Sequence, residues 1–547
     1  MAASSGLDQQ GGGTLAPWNP RLALLVAATF FMEFLDGTVL TTAIPSISTD
    51  FAVPAADVNV TMTAYLLTVA VGIPISGWLA ERFGARRVFC LAIAIFTLAS
   101  LACAASQDLA TLTLSRIAQG AGGAMMVPVG TLVVLRGTPK SDLLRATAFL
   151  VWPGLLAPVL APLVGGALTT YMSWHWIFLV NIPLGAAAFF AALRLVPVAP
   201  GDPGRRLDWP GMVLTTLGVG ALVVGLELAS SHPDGHWPAL SAAAGVAALA
   251  AAVLWMRRTP HPLFNLQVFR TRTFRAMATG GFVYRVTISS VPFLLPLMLQ
   301  AGFGWSPLYA GVLVAAVFVG NIGIKPATTP LIRRFGFKAV LVFASLASAA
   351  TFALCAFLTP ETPEALMFVL LVCSGAFRSI GFSAYASVQY ADIPPAQLTS
   401  ANTVSATLVQ LGTGSGIAVA ALLIRSFETV APLSQDPAGP FRGAFMAMAI
   451  LMLASTADSI LLPRHAGAAV AQGSRKQPKA AAPGQPAPAS ADLEPGGSGG
   501  SGGSGGAAGL DGSPDRVRSE PGVTRPVPGP REVPLPRRPG GGRAPQR

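Results

Sequence analysis

The stretch LALLVAATFFMEFLDGTVLTTA, residues 22–43, is long enough to cross a hydrocarbon core of about 30 Å as a helix. Glu33 and Asp36 lie inside this apolar run. A carboxylate at that depth costs about 2.5–3.5 kcal/mol on insertion scales, so neither side chain is expected to face lipid. Because the two acids are spaced three residues apart, they share one helix face. They are therefore predicted to face a protein interior or a wet cavity, with partners or with bound protons.

The rest of the chain has the composition of a membrane protein. It is 52% hydrophobic and only 11% charged, whereas a soluble domain carries about 25% charged residues. Each long apolar run must satisfy its own backbone hydrogen bonds in lipid, which predicts helices. The first run is too long, and the segment before it too weakly charged, for a cleavable signal peptide. By the length criterion about fourteen runs are present, at residues 22–43, 58–80, 88–106, 109–135, 146–170, 176–196, 209–229, 238–256, 276–300, 307–330, 339–358, 364–390, 399–427 and 442–462.

The distribution of charge follows a membrane topology. The net charge is +12, which on a soluble protein would suggest a nucleic-acid partner. Here the basic residues gather in alternate connections, so no nucleic-acid partner is predicted. Basic loops stay in the cytoplasm, so both termini of a chain in the cytoplasmic membrane are predicted to be cytoplasmic. The same loops are expected to contact anionic membrane lipids. The basic connections contain Arg82, Arg86 and Arg87; Arg136, Lys140 and Arg145; Arg194, Arg205 and Arg206; Arg257, Arg258, Arg270, Arg272 and Arg275; and Arg333, Arg334 and Lys338.

Several classes of protein are not indicated. The four cysteines all fall within apolar runs, and neither they nor the scattered histidines have the spacing of a disulfide framework or a metal site. The chain contains no Gly-x-x-x-x-Gly-Lys-Ser/Thr loop for ATP. We therefore expect no cofactor, no metal and no enzyme activity. If the chain moves a solute across the membrane, an ion gradient is the expected source of the energy.

The second apolar run ends in a motif that links glycines with charged residues, Gly77-Trp-Leu-Ala-Glu81-Arg82-Phe-Gly84-Ala-Arg86-Arg87. Its glycines permit a tight reversal, and its charges can hold neighbouring helix ends. An ordinary positive-inside loop is the alternative. The spacing resembles the signature between helices 2 and 3 of the major facilitator superfamily, in which these residues form a conformational gate. Residues 330–338 resemble a degenerate second copy, as expected for a duplicated transporter.

The fourth apolar run contains Leu112-Thr-Leu-Ser-Arg116-Ile-Ala-Gln119-Gly120. At 1.5 Å per residue, Asp36 lies about 21 Å from the cytoplasmic end of its run and Arg116 about 10 Å from the outer end of its own. In a core of about 30 Å both lie roughly 10 Å below the outer surface, where they can pair. The run resembles the fourth-helix motif of the same family, whose arginine is linked to proton transfer. A static structural ion pair is the alternative.

The fifth run carries the string Gly154-Leu-Leu-Ala-Pro158-Val-Leu-Ala-Pro162-Leu-Val-Gly165-Gly166. Prolines and glycines in a membrane bundle permit kinks and close helix contact. The string resembles the motif of the antiporter branches of the superfamily, which implies exchange of two solutes. Plain packing of small residues is the alternative.

Three further segments resemble the fourteen-span drug:proton antiporters of the EmrB/QacA type. They are Leu35-Asp-Gly-Thr-Val39, the string from Ser173 to Gly185, and Asp208-Trp-Pro-Gly211. The resemblance implies an all-helical fold of about 14 transmembrane helices, in which two extra helices separate two six-helix bundles (6+2+6). The domains predicted on this basis are a disordered N-terminus (1–20), an N-terminal bundle (21–198), two inserted helices (199–258), a C-terminal bundle (259–462) and a tail (463–547).

Charged residues also lie inside runs of the second half. Arg285, Lys325, Arg378 and Asp458 are predicted to form an inward-facing polar site or gate, with Asp458 as the one acid in the set. The alternative is that Lys325 and Arg378 extend to the cytoplasmic interface. Polar residues that can line the same cavity are Asn321, Tyr385, Gln389 and Gln410.

The tail changes to Pro, Gly, Ala and Arg from residue 463. Residues 496–506 read GGSGGSGGSGG, a flexible linker pattern that is as typical of an artificial linker as of a natural sequence. The arginine- and proline-rich segment 526–539 can form extended polyproline structure. Disorder is predicted for this part of the chain.

Together these patterns predict a proton-coupled secondary transporter, a monomer that exports small amphiphilic, preferably cationic, compounds by alternating access. Asp36, tuned by Arg116, would exchange the proton, while Glu33 would assist it or receive the cationic substrate. One alternative is a transporter of organic anions or amphiphilic lipids that uses Arg285 and Arg378. The other is a membrane sensor or scaffold without transport activity.

Overall fold

A computed structural model describes residues 19–231, 236–429, 436–463 and 466–471. The regular structure of these residues is helical. The predicted disordered termini fall mostly outside this part of the chain, but their inner edges are structured. Asn19 caps the first helix by accepting hydrogen bonds from the amides of Arg21 and Leu22, and Val470, within a short helix at Ala468–Ala471, is fully buried.

Each of the fourteen predicted apolar runs falls on helical structure. Within the described ranges, twelve helical stretches are long and apolar enough to cross a membrane, and the helices Leu143–Tyr171 and Pro307–Gly323 are not among these twelve. This agrees with the predicted all-helical membrane class. The long helices are α1 (Pro20–Val39), α2 (Ala55–Phe83), α3 (Ala85–Ala104), α4 (Leu109–Arg136), α5 (Leu143–Tyr171), α6 (Asn181–Leu195), α7 (Trp209–Ser231), α8 (Trp237–Met256), α9 (Phe282–Leu297), α10 (Pro307–Gly323), α11 (Lys325–Ala356), α12 (Glu364–Ala391), α13 (Leu398–Glu428) and α14 (Gly439–Ile460).

Shorter elements lie between them. They are Leu40–Thr42, Ile44–Asp50, Lys140–Asp142, His175–Leu179, Leu266–Arg270, Arg272–Ala276 and Pro395–Gln397, and the π-helical segments Met277–Gly281 and Met298–Gly302 at the two ends of α9.

Two glycines turn the chain at equivalent places in the two halves. Gly84 joins α2 to α3 with φ of 88°, and Gly336 interrupts α11 with φ of 78°. Glycine adopts this conformation without the steric cost that a Cβ imposes. Gly84 in the gate signature and Gly336 in its degenerate second copy are at corresponding positions. The two copies therefore share a backbone conformation as well as a sequence pattern. The turn at Gly336 divides α11 into two helical parts. The part before the turn overlaps the predicted run 307–330, and the part after it overlaps the run 339–358.

The helices pack in two groups. In the first half α1 packs against α5, α2 and α3 pack against α4, and α3 packs against α6. In the second half α9 packs against α13, α10 and α11 against α12, and α11 against α14. Contacts between the groups run from α2 and α4 to α13, and from α5 to α10 and α12. This pattern encloses a space between the groups.

The inserted helices α7 and α8 pack against each other, and α7 also contacts α2 and α13. The buried carboxylate of Asp208 anchors them. Its Oδ1 accepts hydrogen bonds from the Gly211 amide (3.0 Å) and from Trp255 Nε1 (2.9 Å), and its Oδ2 accepts one from the Leu263 amide (3.1 Å). One side chain therefore joins the start of α7 to the end of α8 and to the chain beyond it.

Replacement of Asp208 by Ala is expected to lower the unfolding free energy by about 1–3 kcal/mol, because buried donors would lose their acceptor. Thermal unfolding of the protein in detergent measures the change. Asp202→Ala is the matched control, since the Asp202 side chain accepts a hydrogen bond from the Gly204 amide in an exposed turn. Equal melting temperatures for the two variants would contradict the anchoring role.

Candidate functional site

The predicted pairing of Asp36 with Arg116 is present. Asp36 Oδ2 lies 2.5 Å from Arg116 Nη1, and both side chains are fully buried. The guanidinium carbon of Arg116 also lies 4.1 Å from the centre of the Tyr65 ring, within the range of a cation–π contact. Within the described part of the chain, Arg116 Nε and Nη2 have no hydrogen-bond partner. The Tyr65 ring is therefore a favourable contact for a guanidinium group that is only partly hydrogen-bonded.

Two side-chain amides complete the coordination of Asp36. Its Oδ1 accepts hydrogen bonds from Asn181 Nδ2 (2.8 Å) and Gln119 Nε2 (2.9 Å). Gln119 Nε2 also donates to Ser100 Oγ (2.7 Å), and Arg116 Nη1 donates to Gln119 Oε1 (2.7 Å). Hydrogen bonds of this kind offset part of the desolvation cost of a buried ion pair, here on the side of the carboxylate. The network joins α1, α3, α4 and α6 around one carboxylate.

Glu33 is buried beside this network but has a different environment. Its Oε2 has no hydrogen-bond partner among the described residues. Its side chain lies against Gly123, where an added Cβ would be 3.3 Å from Glu33 Oε1 and 3.4 Å from Tyr65 Oη. A side chain at residue 123 would therefore crowd both groups. The two predicted acids thus differ: Asp36 is fully coordinated and Glu33 is not.

Sequence reasoning did not assign Ser100, Asn181 or Tyr65 to this site. Gln119 and Asn181 lie within the motifs described above, but neither residue is given a role by its motif. A signal is present for Gln119, which follows Arg116 by three residues and so shares its helix face. For the others the signal is only a polar side chain inside or beside an apolar run.

The gate motif contacts the chain that leads to the inserted helices. Glu81 Oε2 lies 3.1 Å from Arg205 Nε, and the Asp202 amide donates to the Glu81 carbonyl oxygen (2.8 Å). A Cβ on Gly84 would lie 2.7 Å from the Ala199 carbonyl oxygen. Arg86 Nη2 donates to the carbonyl oxygen of Leu193. These contacts hold residues 199–205 against the motif.

Other contacts on the same side join the two helix groups. A Cβ on Gly77 would lie 3.3 Å from Thr403 Cβ and would overlap Thr403 Oγ1. Arg136 Nη2 donates to Thr399 Oγ1 (2.7 Å), and Asn402 Nδ2 donates to the Pro128 carbonyl oxygen (2.7 Å). Helix α13 is therefore held closely against α2 and α4 in this conformation.

The predicted antiporter string lies within α5, which packs against α1. A Cβ on Gly165 would lie 2.7 Å from Val39 Cγ2, and it would overlap Thr42 Oγ1. Gly166 has no neighbour within 4 Å of the corresponding position. Only the first glycine of the pair is therefore required for close helix contact. Pro158 and Pro162 lie in the same helix, and their side chains are outside the described part.

A cavity of about 320 Å³, here called the central cavity, lies between the two helix groups. Its lining includes Phe30 and Phe34 of α1, which flank Glu33 in sequence, and the guanidinium-bearing Arg285 and Arg378. No Asp or Glu is among the described residues that line it. The cavity is therefore apolar with a positive region, in a volume that suits a small organic molecule.

Arg285 and Arg378 are held by neutral partners. Arg285 Nε donates to Thr413 Oγ1 (3.2 Å), and its guanidinium carbon lies 4.5 Å from the centre of the Phe382 ring. Arg378 Nε donates to the Ser374 carbonyl oxygen (3.2 Å) and Nη1 donates to that of Ile288 (3.4 Å). Their charges are therefore not neutralised by an acid within the described ranges.

The other two members of the predicted second-half site lie elsewhere. Asp458 accepts a hydrogen bond from Thr279 Oγ1 (3.1 Å) beside the π-helical segment before α9. It forms no ion pair with Arg285, Lys325 or Arg378, all of which are described. The alternative in which Lys325 extends to the interface is also wrong for this conformation, since its side chain is buried and Nζ donates to Ser383 Oγ (2.6 Å).

Of the polar candidates for the lining, Asn321 and Gln389 line the central cavity, whereas Tyr385 and Gln410 do not.

Two groups of apolar helices around a central cavity, beside a buried ion pair, are the arrangement of an integral membrane transporter of small molecules. The chain belongs to the Major Facilitator Superfamily, whose family profile matches residues 26–233 and 277–502.

Among curated proteins it is similar to "Putative multidrug resistance protein MdtD" of Salmonella heidelberg (strain SL476), with 36% identity over 76% of this chain and 88% of the relative. It is 37% identical to the protein of the same name from Cronobacter sakazakii (strain ATCC BAA-894), over 80% of this chain and 93% of the relative. These matches confirm the predicted family.

Two solved structures share the fold. The human organic anion transporter MFSD10 (TETRAN) matches 80% of this chain and 99% of its own, with a TM-score of 0.57 and 15% identity. The proton:xylose symporter XylE matches 82% of this chain and 97% of its own, with a TM-score of 0.54 and 13% identity. At these identities the likeness concerns the fold alone.

Proposed function

We propose that this protein exports amphiphilic small molecules across the bacterial cytoplasmic membrane in exchange for protons, as a monomer with both termini in the cytoplasm. The similarity to multidrug resistance proteins supports the substrate class. The alternate basic connections support the orientation. Transport would proceed by rocking of the first helix group against the second around the central cavity.

The observation that carries the proposal is the buried Asp36–Arg116 pair next to the unpartnered Glu33. In this conformation Asp36 is held as a carboxylate by one cation and two amides. Glu33 would hold a proton, because a buried carboxylate oxygen without a partner is costly. When the helix groups rearrange and the pair opens, Asp36 would take up a proton and Glu33 would assist its transfer. One charge moved through 100 mV supplies about 2.3 kcal/mol for this exchange.

For the charge of the substrate, the lining of the central cavity supports the anionic alternative over the cationic one. Two guanidinium groups face the space, and no acid within the described part lines it. A cationic substrate would meet uncompensated positive charge there, whereas a carboxylate or sulfonate would receive charge-assisted hydrogen bonds. The proposed substrate is therefore an organic anion with a substantial apolar part.

Replacement of Arg285 by Gln is expected to reduce export of an organic anion about tenfold, since a hydrogen bond to a charged group contributes about 1.5–3 kcal/mol. Proteoliposomes with an imposed pH gradient measure export of carboxyfluorescein and of ethidium. Arg272→Gln is the matched control, because Arg272 is an exposed arginine that does not line the central cavity. Export of ethidium alone, abolished by Glu33→Gln and unaffected by Arg285→Gln, would favour the cationic alternative.

A further inference from the structure

A second and larger cavity, of about 1150 Å³, lies between the helix groups at a different place. Helices α1, α5 and α6 form one side of it and the first part of α11 forms the other. Among its lining residues, Leu24, Phe149, Trp152 and Leu184 are exposed at the outer surface of the helical body. In a membrane such apolar surface faces acyl chains. This space is called the lateral groove below.

The lateral groove combines these apolar walls with positive charge at one end. Its charged lining residues are all basic within the described part of the chain, namely Arg21, Arg145, Lys325 and Arg333. Arg21 and Arg145 lie in the first turns of their helices, and Arg333 lies three residues before the turn at Gly336. Lys325 lies eight residues before Arg333, about 12 Å along the helix. The cations therefore extend from the mouth of the groove inward.

The lateral groove and the central cavity meet at one aromatic ring. Phe382 lines the central cavity, and Lys325 of the lateral groove has its Nζ 5.8 Å from the centre of that ring. Arg285 of the central cavity lies 4.5 Å from the same ring centre. Lys325 of the groove and Arg285 of the cavity therefore contact the same ring. The two spaces come close to each other at Phe382.

We propose that the lateral groove is the access route by which an anionic, single-chain amphiphile reaches the central cavity from the cytoplasmic leaflet. This inference rests on the proposed anionic substrate. The head group would pass from Arg333 to Lys325 and then, past Phe382, to Arg285, while the tail remains against the apolar wall. The central cavity has a volume of about 320 Å³, which is near the lower limit for sites that bind small molecules. It therefore favours an amphiphile with one acyl chain over a phospholipid with two.

The test compares two anions that reach the protein by different routes. An NBD-labelled dodecanoate partitions into the bilayer, whereas carboxyfluorescein remains in water. In proteoliposomes, Arg333→Gln is expected to reduce export of the labelled dodecanoate about fivefold and that of carboxyfluorescein less than about twofold, since only the first uses the groove. Arg272→Gln is the matched control, because Arg272 is exposed, does not line the groove and lies outside the gate motif and its second copy. Equal loss of both anions, or loss of neither, would overturn the proposed route.

A binding measurement separates this proposal from the proposed function. Trp152 lines the lateral groove, so a doxyl-labelled stearate bound there should quench its fluorescence. The quenching is expected to decrease in Trp152→Phe and to need more ligand in Arg333→Gln, but not in the control Arg272→Gln. Failure of the wild-type protein to export either anion, with this quenching intact, would reject the anionic export function and retain the groove as a binding site. Equal quenching by a doxyl-labelled phosphatidylcholine would show bulk lipid in the groove and overturn the inference.

Discussion

Substitution of Asp36 by Asn is expected to abolish export driven by a pH gradient. Asparagine keeps the shape of the side chain and one acceptor oxygen, but it loses the second acceptor and cannot carry a proton between the two faces of the membrane. Exchange of substrate across the bilayer without a gradient should persist within about threefold, since the central cavity is not lined by residue 36. Reconstituted protein with a pH-sensitive dye inside the vesicles measures both quantities.

A loss of activity in this variant has a second possible cause, which the experiment must separate. The neutral asparagine would leave Arg116 buried without a counter-charge, and breaking a buried pair in this way costs about 3–5 kcal/mol. The double variant Asp36→Asn/Arg116→Gln removes both charges and should recover much of the thermal stability while remaining uncoupled. Asp436→Asn is a matched control, because its pair with Arg442 (3.5 Å) is partly exposed and contributes little. Concentrative, pH-driven export by a stable double variant would show that the proton is carried elsewhere.

The depth of a residue in the membrane can be read from the sequence, and the partner of Asp36 follows from it. Counting residues inward places Arg116 at the same level, and the two side chains do pair. The same count cannot assign Ser100 or Asn181 to the network. Their contribution depends on how α3 and α6 are rotated about their axes, and the apolar runs give little information on rotation because they are apolar on most faces.

The second half shows the same limit more clearly. Counting inward at 1.5 Å per residue places Asp458 and Lys325 both towards the cytoplasmic third of the membrane, and the sequence therefore groups them. In the structure they lie in different environments, beside Thr279 and Ser383 respectively. Depth defines a layer of the membrane and not a position within it. The lining of the central cavity, on which the proposed charge of the substrate rests, depends on this missing coordinate.

A close approach of two helices in the second half, between α10 and α12, is also not apparent in the sequence. A Cβ on Gly320 would overlap the carbonyl oxygen of Val372 and lie 3.0 Å from the Ala376 amide nitrogen. A Cβ on Gly375 would overlap the carbonyl oxygen of Val317 and lie 3.0 Å from the Asn321 amide nitrogen. The two glycines are thus reciprocal, and each leaves room for the backbone of the other helix. Such contacts between small residues are a main source of helix association in membranes.

Replacement of Gly320 by Ala is therefore expected to destabilise the protein by at least about 1–3 kcal/mol, the usual cost of overpacking, because the obstacle is backbone that cannot rotate away. Val317 and Asn321 line the central cavity, so a forced separation of α10 and α12 should also lower transport in the fraction that folds. Thermal unfolding in detergent and the yield of monodisperse protein measure the first effect. Gly311→Ala in the same helix is the control, since no atom lies within 4 Å of the position that its Cβ would take; alanine there should be neutral or slightly stabilising, because it favours the helix by up to about 1 kcal/mol over glycine. If both variants unfold at the wild-type temperature, the helices separate at little cost and the glycine contact does not hold the second half together.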